Sequence, residues 1–152
     1  MLVEGARILV PGATGEIGGA LAVRLHDLGG KVALAGRDGT ALALVAAACG
    51  DAPARTFEAW DLDSCARTVD WAATTLGGLD GAVVCVGVAA FGLACEVGDA
   101  VGEHLAAVNA LAPMAFLRAA ASAVTAYVGR VGGRGGWMCG DVRSDRWRCG
   151  GR

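Results

Sequence analysis

Short apolar runs alternate with amphipathic stretches along most of the chain. Arg7-Ile8-Leu9-Val10 is brief, β-branched and closed by Pro11-Gly12, the pattern of a buried strand. Glu16 to Leu28 then places Ile17, Ala20, Leu21, Leu25 and Leu28 at helical spacing on one predicted apolar face, and Gly29-Gly30 ends it. Lys31 to Ala35 predicts a second strand, and Thr40 to Ala48 an alanine-rich helix that stops at Gly50. A third strand is expected near Arg55 to Trp60. Ser64 is the expected N-cap of a helix carrying Cys65, Val69, Ala72 and Leu76, closed by Gly77-Gly78. Ala82 to Val86 predicts a fourth strand, apolar throughout as a parallel strand covered on both faces must be. A longer helical region runs from about Asp99 to Ala123 and is interrupted at Pro113.

Strand and helix alternating in this rhythm predict an α/β fold: a Rossmann-type doubly wound parallel sheet, incomplete, with about four to five strands. The rhythm stops at Gly129. The 24 residues from there hold eight Gly, six Arg, two Trp and two Cys with no amphipathic period. Such a segment buries too little apolar surface to offset its ordering entropy, so a disordered C-terminal tail is expected. The predicted organisation is therefore a nucleotide-binding domain over 1–128 and an irregular Gly/Arg-rich tail over 129–152.

Composition changes this picture little. A chain of 152 residues, 55% hydrophobic, has material for one core. The net charge of only −2 asks for no acidic partner, although it divides into +4 on the tail and −6 before it. Six cysteines form no C-x-x-C pair, and with only two His no zinc site is expected. The N-terminus shows no signal-peptide pattern, and the longest apolar run, Ala82 to Cys95, is too short to span a bilayer. A reduced cytoplasmic protein with no membrane partner is the expectation.

Gly12-Ala13-Thr14-Gly15-Glu16-Ile17-Gly18 lies directly after the first strand and opens the first helix. That context gives the glycines a chemical use. They let the backbone turn tightly beside a pyrophosphate, whose charge meets helix N-terminal N–H groups. The passage resembles the cofactor loop of the short-chain dehydrogenase/reductase family, whose usual form is Thr-Gly-x-x-x-Gly-x-Gly. Here Pro11 stands at the Thr position, and Glu16 holds the site of the middle glycine, which falls instead at Gly15. The resemblance extends over roughly residues 5 to 131 and implies a dinucleotide site at Gly12, Thr14, Gly15, Glu16, Ile17 and Gly18.

Four further passages carry it. The second strand ends in Gly36-Arg37-Asp38; an Arg here suits the 2′-phosphate of NADP, where an acidic residue would suit the ribose hydroxyl of NAD. The resemblance thus implies NADP rather than NAD. Asp61-Leu62 resembles the family's pair at the adenine amino group. Cys85-Val86-Gly87 resembles the end of the fourth strand, with Gly87 retained and with Cys85 and Val86 in place of polar and small residues. Val108-Asn109-Ala110 resembles the helix motif whose Asn, at a kink, holds a water of the proton relay. The implied function is hydride transfer to or from a small ketone or alcohol, which would be the small-molecule substrate.

The residue inventory restricts that implication. The family's chemistry uses a Tyr as proton donor, a Lys four positions later and a Ser that polarises the carbonyl. The only Lys here is Lys31, on the second strand, and the only Tyr is Tyr127, followed four residues on by Val131. Gly129-Arg130-Val131 resembles the opening of a fifth strand, but Gly132-Gly133-Arg134-Gly135-Gly136 follows where apolar residues and Ser are usual. A body rich in Ala, Gly, Val and Arg suggests GC-rich coding, and a tail rich in Gly, Arg, Trp and Cys is what such DNA yields out of frame. A frameshift or premature end near residues 120 to 132 is expected on that ground. Two readings stay open: an NADP-dependent oxidoreductase of short-chain dehydrogenase type, or a non-catalytic NAD(P)-binding module. A nucleic-acid role for the Arg-Gly tail, with Trp137 and Trp147 stacking on bases, is only weakly signalled. An unfinished parallel sheet also predicts self-association or aggregation.

Overall fold

The computed structural model describes residues 3–93, 95 and 97–131, with side chains described as far as residue 124. Four strands, β1 (Arg7–Pro11), β2 (Lys31–Gly36), β3 (Ala54–Thr56) and β4 (Gly81–Ala82), alternate with α1 (Glu16–Asp27), α2 (Gly39–Ala48) and α3 (Leu62–Thr75). Two further helices, α4 (Asp99–Ala106) and α5 (Ala112–Val131), are joined by a π-helical turn at Ala107–Leu111. The strands are ordered β3-β2-β1-β4 and every neighbouring pair is parallel. This is the doubly wound α/β sheet that the alternating pattern predicts.

Strand alternation sorts the core into two layers. Ile8 and Val10 of β1, with Val32 and Leu34 of β2, pack against Ala22, Leu25, Leu42 and Ala46 of α1 and α2. Leu9, Ala33 and Ala35 face the other way, onto Val69 and Ala72 of α3 and Ala112, Ala115, Phe116 and Ala120 of α5. Phe57 and Phe116 meet edge to face there, with ring centroids 5.2 Å apart. Beneath this layer Arg7 and Asp80 join the amino ends of β1 and β4 through a 2.7 Å ion pair. By length and hydropathy alone the continuous helical stretch Asp99–Val124 could cross a membrane; one face of it, through Ala112, Ala115, Phe116 and Ala120, packs in the core with α3.

Several expected boundaries move, each for a local reason. The fourth strand pairs regularly only over Gly81–Ala82, although Val83 N–H still donates to the Leu9 carbonyl (2.9 Å) and Cys85 N–H to the Pro11 carbonyl (2.8 Å). Pro11 offers its carbonyl toward β4 but has no N–H to give on that side, so the reciprocal bond is lost. The third strand spans Ala54–Thr56, shorter than the expected Arg55 to Trp60: Phe57 N–H makes a last bond to the Gly36 carbonyl (3.2 Å), and Phe57 and Ala59 are buried in the core.

The buried face of α1 is Gly18, Ala22 and Leu25, whereas Ile17 is 79% exposed and Leu28 43% exposed. A Cβ at Gly18 would overlap the Gly12 carbonyl, so the helix presents its smallest residues to the turn and the sheet. Asp61, not Ser64, caps α3: its Oδ1 accepts from the N–H groups of Asp63 and Ser64, both at 3.0 Å.

The interruption expected at Pro113 is a slip in register. Ala112 N–H donates to Ala107 O, five residues back, and Pro113 cannot donate to Asn109 at all. Gly129-Arg130-Val131, expected to open a fifth strand, is instead the last turn of α5. The alanine-rich run before it contains no breaker, so the helix propagates. The tail from 132 onward lies outside the described residues.

Candidate dinucleotide site

The carboxyl ends of β1, β2 and β4 open onto a cleft of about 220 Å³. It lies where the strand order reverses between β1 and β4, the position at which open α/β sheets take ligands. Gly12, Thr14 and Gly15 line it from the β1–α1 turn, and Gly36 and Arg37 from the end of β2. Phe57, Ala59 and Trp60 close one side, Cys85 to Val88 the other, and His104 and Val108 reach it from α4 and the π-helical turn.

Backbone contact shapes the turn. Gly12 has φ +86°, and any Cβ there would overlap the Cys85 carbonyl. Gly12 N–H and Ala13 N–H both donate to the Ala35 carbonyl, at 2.8 and 3.0 Å, tying the turn to β2. Gly15 is the N-cap of α1 and brings no side chain to the first-turn N–H groups. The helices α2 and α3, by contrast, are capped by the carboxylates of Asp38 and Asp61. The start of α1 therefore keeps its donors and its positive dipole end for whatever enters the cleft. A Cβ at Gly15 would come no nearer than 3.5 Å to the Gly12 carbonyl, so the crest of the turn is open on the cleft side. Glycines that admit close approach beside uncapped helix donors fit a pyrophosphate.

Arg37 and Asp38 part company at the end of β2. Arg37 lines the cleft. The Asp38 carboxylate turns into α2, where its Oδ1 accepts from Thr40 N–H at 2.8 Å and Ala41 N–H at 3.0 Å. The strand end thus presents a cation to the cleft and keeps its acid for capping.

Not every residue implied by the sequence reaches this cleft. Gly12, Thr14, Gly15, Arg37 and Gly87 line it, whereas Glu16, Ile17 and Gly18 lie behind the crest in α1. Asp61 caps α3 and pairs with Arg67 at 3.3 Å, and Leu62 packs against the core. Asn109 stands at the centre of the π-helical turn. Its Oδ1 accepts from Val88 N–H and its Nδ2 donates to the Val88 carbonyl, both at 2.8 Å. It thereby straps the segment after β4 to the helix. Sequence reasoning missed Phe57, Trp60 and His104, which distant elements bring to the cleft without a local motif to mark them.

The chemistry available is limited. Burial pushes the Cys85 thiol above its ordinary range, so at neutral pH it is a poor nucleophile. Cys65, away from the cleft, is pushed up to about 11 by burial and by the nearby Asp61 charge. Lys31 is exposed at the amino end of β2, paired in register with Arg7 and so at the opposite end of the sheet from the cleft. The side chain of Tyr127 lies outside the described residues. Among the described residues, no three His, Cys, Asp or Glu side chains come together as a metal site.

Comparison with known proteins places this architecture. No curated protein sequence matches the chain. A short chain dehydrogenase from Burkholderia cenocepacia J2315 in complex with NADP superposes with a TM-score of 0.78 at 27% identity, over 82% of this chain and 53% of that one. A short chain dehydrogenase from Salmonella enterica serovar Typhi strain CT18 gives 0.73 at 25% identity, over 80% and 54%. An NADH-dependent reductase, A1-R′, complexed with NAD, shares the fold with a TM-score of 0.76 at 22% identity, over 87% and 58%. The chain spans about half the length of these solved structures. The short chain dehydrogenase family profile matches residues 6–134, which is most of the sequence. With its parallel sheet, glycine turn and strand-end cleft, the chain belongs to the short chain dehydrogenase family.

Proposed function

We infer that this chain binds NADP(H) in the strand-end cleft, as the dinucleotide-binding part of a short-chain oxidoreductase acting on a small ketone or alcohol. The observation that carries the cofactor preference is the division of labour at the end of β2. Arg37 lines the cleft, while the one acid beside it, Asp38, is committed to capping α2. A guanidinium pairs with a 2′-phosphate and offers a free ribose hydroxyl much less. The Burkholderia relative's NADP is consistent with this choice.

Hydride donation or acceptance is what a nicotinamide dinucleotide supplies when bound. The chain's own residues would orient it: Gly12 and Gly15 admit the pyrophosphate to the start of α1, and Gly87 leaves room on the β4 side. A proton at the carbonyl oxygen needs a separate donor, and these 152 residues contain no Tyr-x-x-x-Lys. That inventory favours the second reading for the chain acting alone: dinucleotide binding without turnover.

Titration with NADPH and NADH, followed by nicotinamide fluorescence, tests the reading. Saturable binding that prefers NADPH is expected, with Arg37→Ala weakening NADPH by about ten-fold or more and leaving NADH unchanged. Equal affinity for the two dinucleotides, untouched by Arg37→Ala, would overturn the NADP assignment.

A further inference from the structure

The geometry points to Trp60 as the residue that holds the purine base, by stacking, in place of the hydrogen-bonding carboxylate that Asp61 would supply. This rests on the dinucleotide reading above and specifies how its base end is recognised. Trp60 follows β3, which neighbours β2 in the sheet, and lines the same cleft as Arg37, the residue assigned to the ribose phosphate. Trp60 is 60% exposed as a residue, although its neighbours Phe57 and Ala59 are buried. Its indole is also held in place: Nε1 donates to Glu58 Oε2 at 3.1 Å. An aromatic face fixed by its own polar edge and left open toward a cleft is suited to a flat ring, because part of its ordering cost is met before the ligand arrives.

Asp61 is oriented away from that task. Its Oδ1 accepts from two backbone N–H groups of α3, and its Oδ2 accepts from Arg67 at 3.3 Å. It does not line the cleft. Stacking reads the presence of a π-face and not the exocyclic groups on its rim, so it discriminates weakly between purines. The base end should therefore tolerate replacement of the adenine amino group.

The test titrates the full chain with NADPH, with its hypoxanthine analogue and with nicotinamide mononucleotide, each against the native chain, Trp60→Ala and Trp60→Phe. Native affinities for the two dinucleotides should agree within about three-fold, and Trp60→Ala should weaken both by about ten-fold while Trp60→Phe restores most of the loss. The mononucleotide, which lacks the base, should bind all three proteins alike. A strong preference for adenine that vanishes in Asp61→Asn would overturn the proposal, as would dinucleotide binding unaffected by Trp60→Ala. Equal weakening of the mononucleotide by Trp60→Ala would also overturn it, because a general loss of structure predicts that result. Failure of the native chain to bind any dinucleotide would overturn the cofactor reading itself and this inference with it.

Discussion

Asn109 pairs with both backbone groups of Val88: Oδ1 accepts the Val88 N–H at 2.8 Å and Nδ2 donates to the Val88 carbonyl at 2.8 Å. One side chain thereby satisfies both backbone groups of a residue beyond β4, where Pro11 has already removed a sheet donor. Asn109→Ala should cost about 1–2 kcal/mol, since it deletes two hydrogen bonds that solvent only partly replaces. Urea denaturation measures the loss, and amide exchange locates it. Unchanged protection of the Val88 amide in the variant would show that the strap is idle.

The glycines of the β1–α1 turn separate folding from binding. Gly12→Ala combines a left-handed backbone with overlap at the Cys85 carbonyl, and should cost about 3 kcal/mol or more. Gly15→Ala meets only ordinary contact and should leave the thermal midpoint nearly unmoved. If the turn holds a pyrophosphate, Gly15→Ala nonetheless weakens NADPH, because the new methyl group stands at the crest beside the cleft. Calorimetry and titration on the same two variants give both readouts.

Glu16 occupies the first turn of α1, where its carboxylate favours the helix dipole but repels an incoming phosphate. Glu16→Gln should therefore tighten NADPH binding by about two- to five-fold at low salt. The gain should shrink as ionic strength rises, because the side chain is exposed. A gain that persists in high salt would point to a change of shape and not of charge.

Arg7 holds the Asp80 carboxyl below the usual carboxylate range, chiefly through the side-chain hydrogen bond from its guanidinium. Because the folded value is the depressed one, the pair contributes fully at neutral pH. The contribution is lost as pH falls through that depressed value, where the native carboxylate finally takes up its proton. Stability measured from pH 7 down to about pH 3 should fall, and Asp80→Asn should flatten the acid side of the profile. An unchanged profile in Asp80→Asn would assign the acid sensitivity to other carboxylates.

Among the described residues β4 pairs on one side only, and Leu111, Met114 and Leu117 stand 44%, 60% and 54% exposed on one stretch of helix. An open edge beside exposed apolar side chains favours association. Sedimentation velocity should show mass rising with protein concentration. A monomer at every concentration, melting in one cooperative transition, would count against it.

Much of the architecture was legible in order along the chain. Apolar runs of β-branched residues, each followed by helical spacing and glycine stops, specify parallel strands with crossover helices whatever the details of packing. The turn from Gly12 to Gly18 was equally legible, because its glycines answer to backbone geometry within a few residues. The inventory of chemical groups, with Lys31 alone on β2 and no Tyr-x-x-x-Lys, is a property of composition and needs no fold to read it.

Tertiary structure decided what local pattern leaves open. Which face of α1 is buried depends on Gly18 meeting the Gly12 carbonyl, so Ile17 is exposed despite its apolar side chain. Whether Asp38 and Asp61 serve a ligand or a helix depends on where their carboxylates turn, and both turn to N–H groups of the helices they cap. Pro113 announces a break, but the π-helical turn appears where Asn109 can reach Val88 across 21 residues. Trp60 and His104 reach the cleft from separate elements. Periodicity records which side of an element is apolar; only packing among elements determines which side chains share a cavity, because that depends on contacts between residues far apart in the chain.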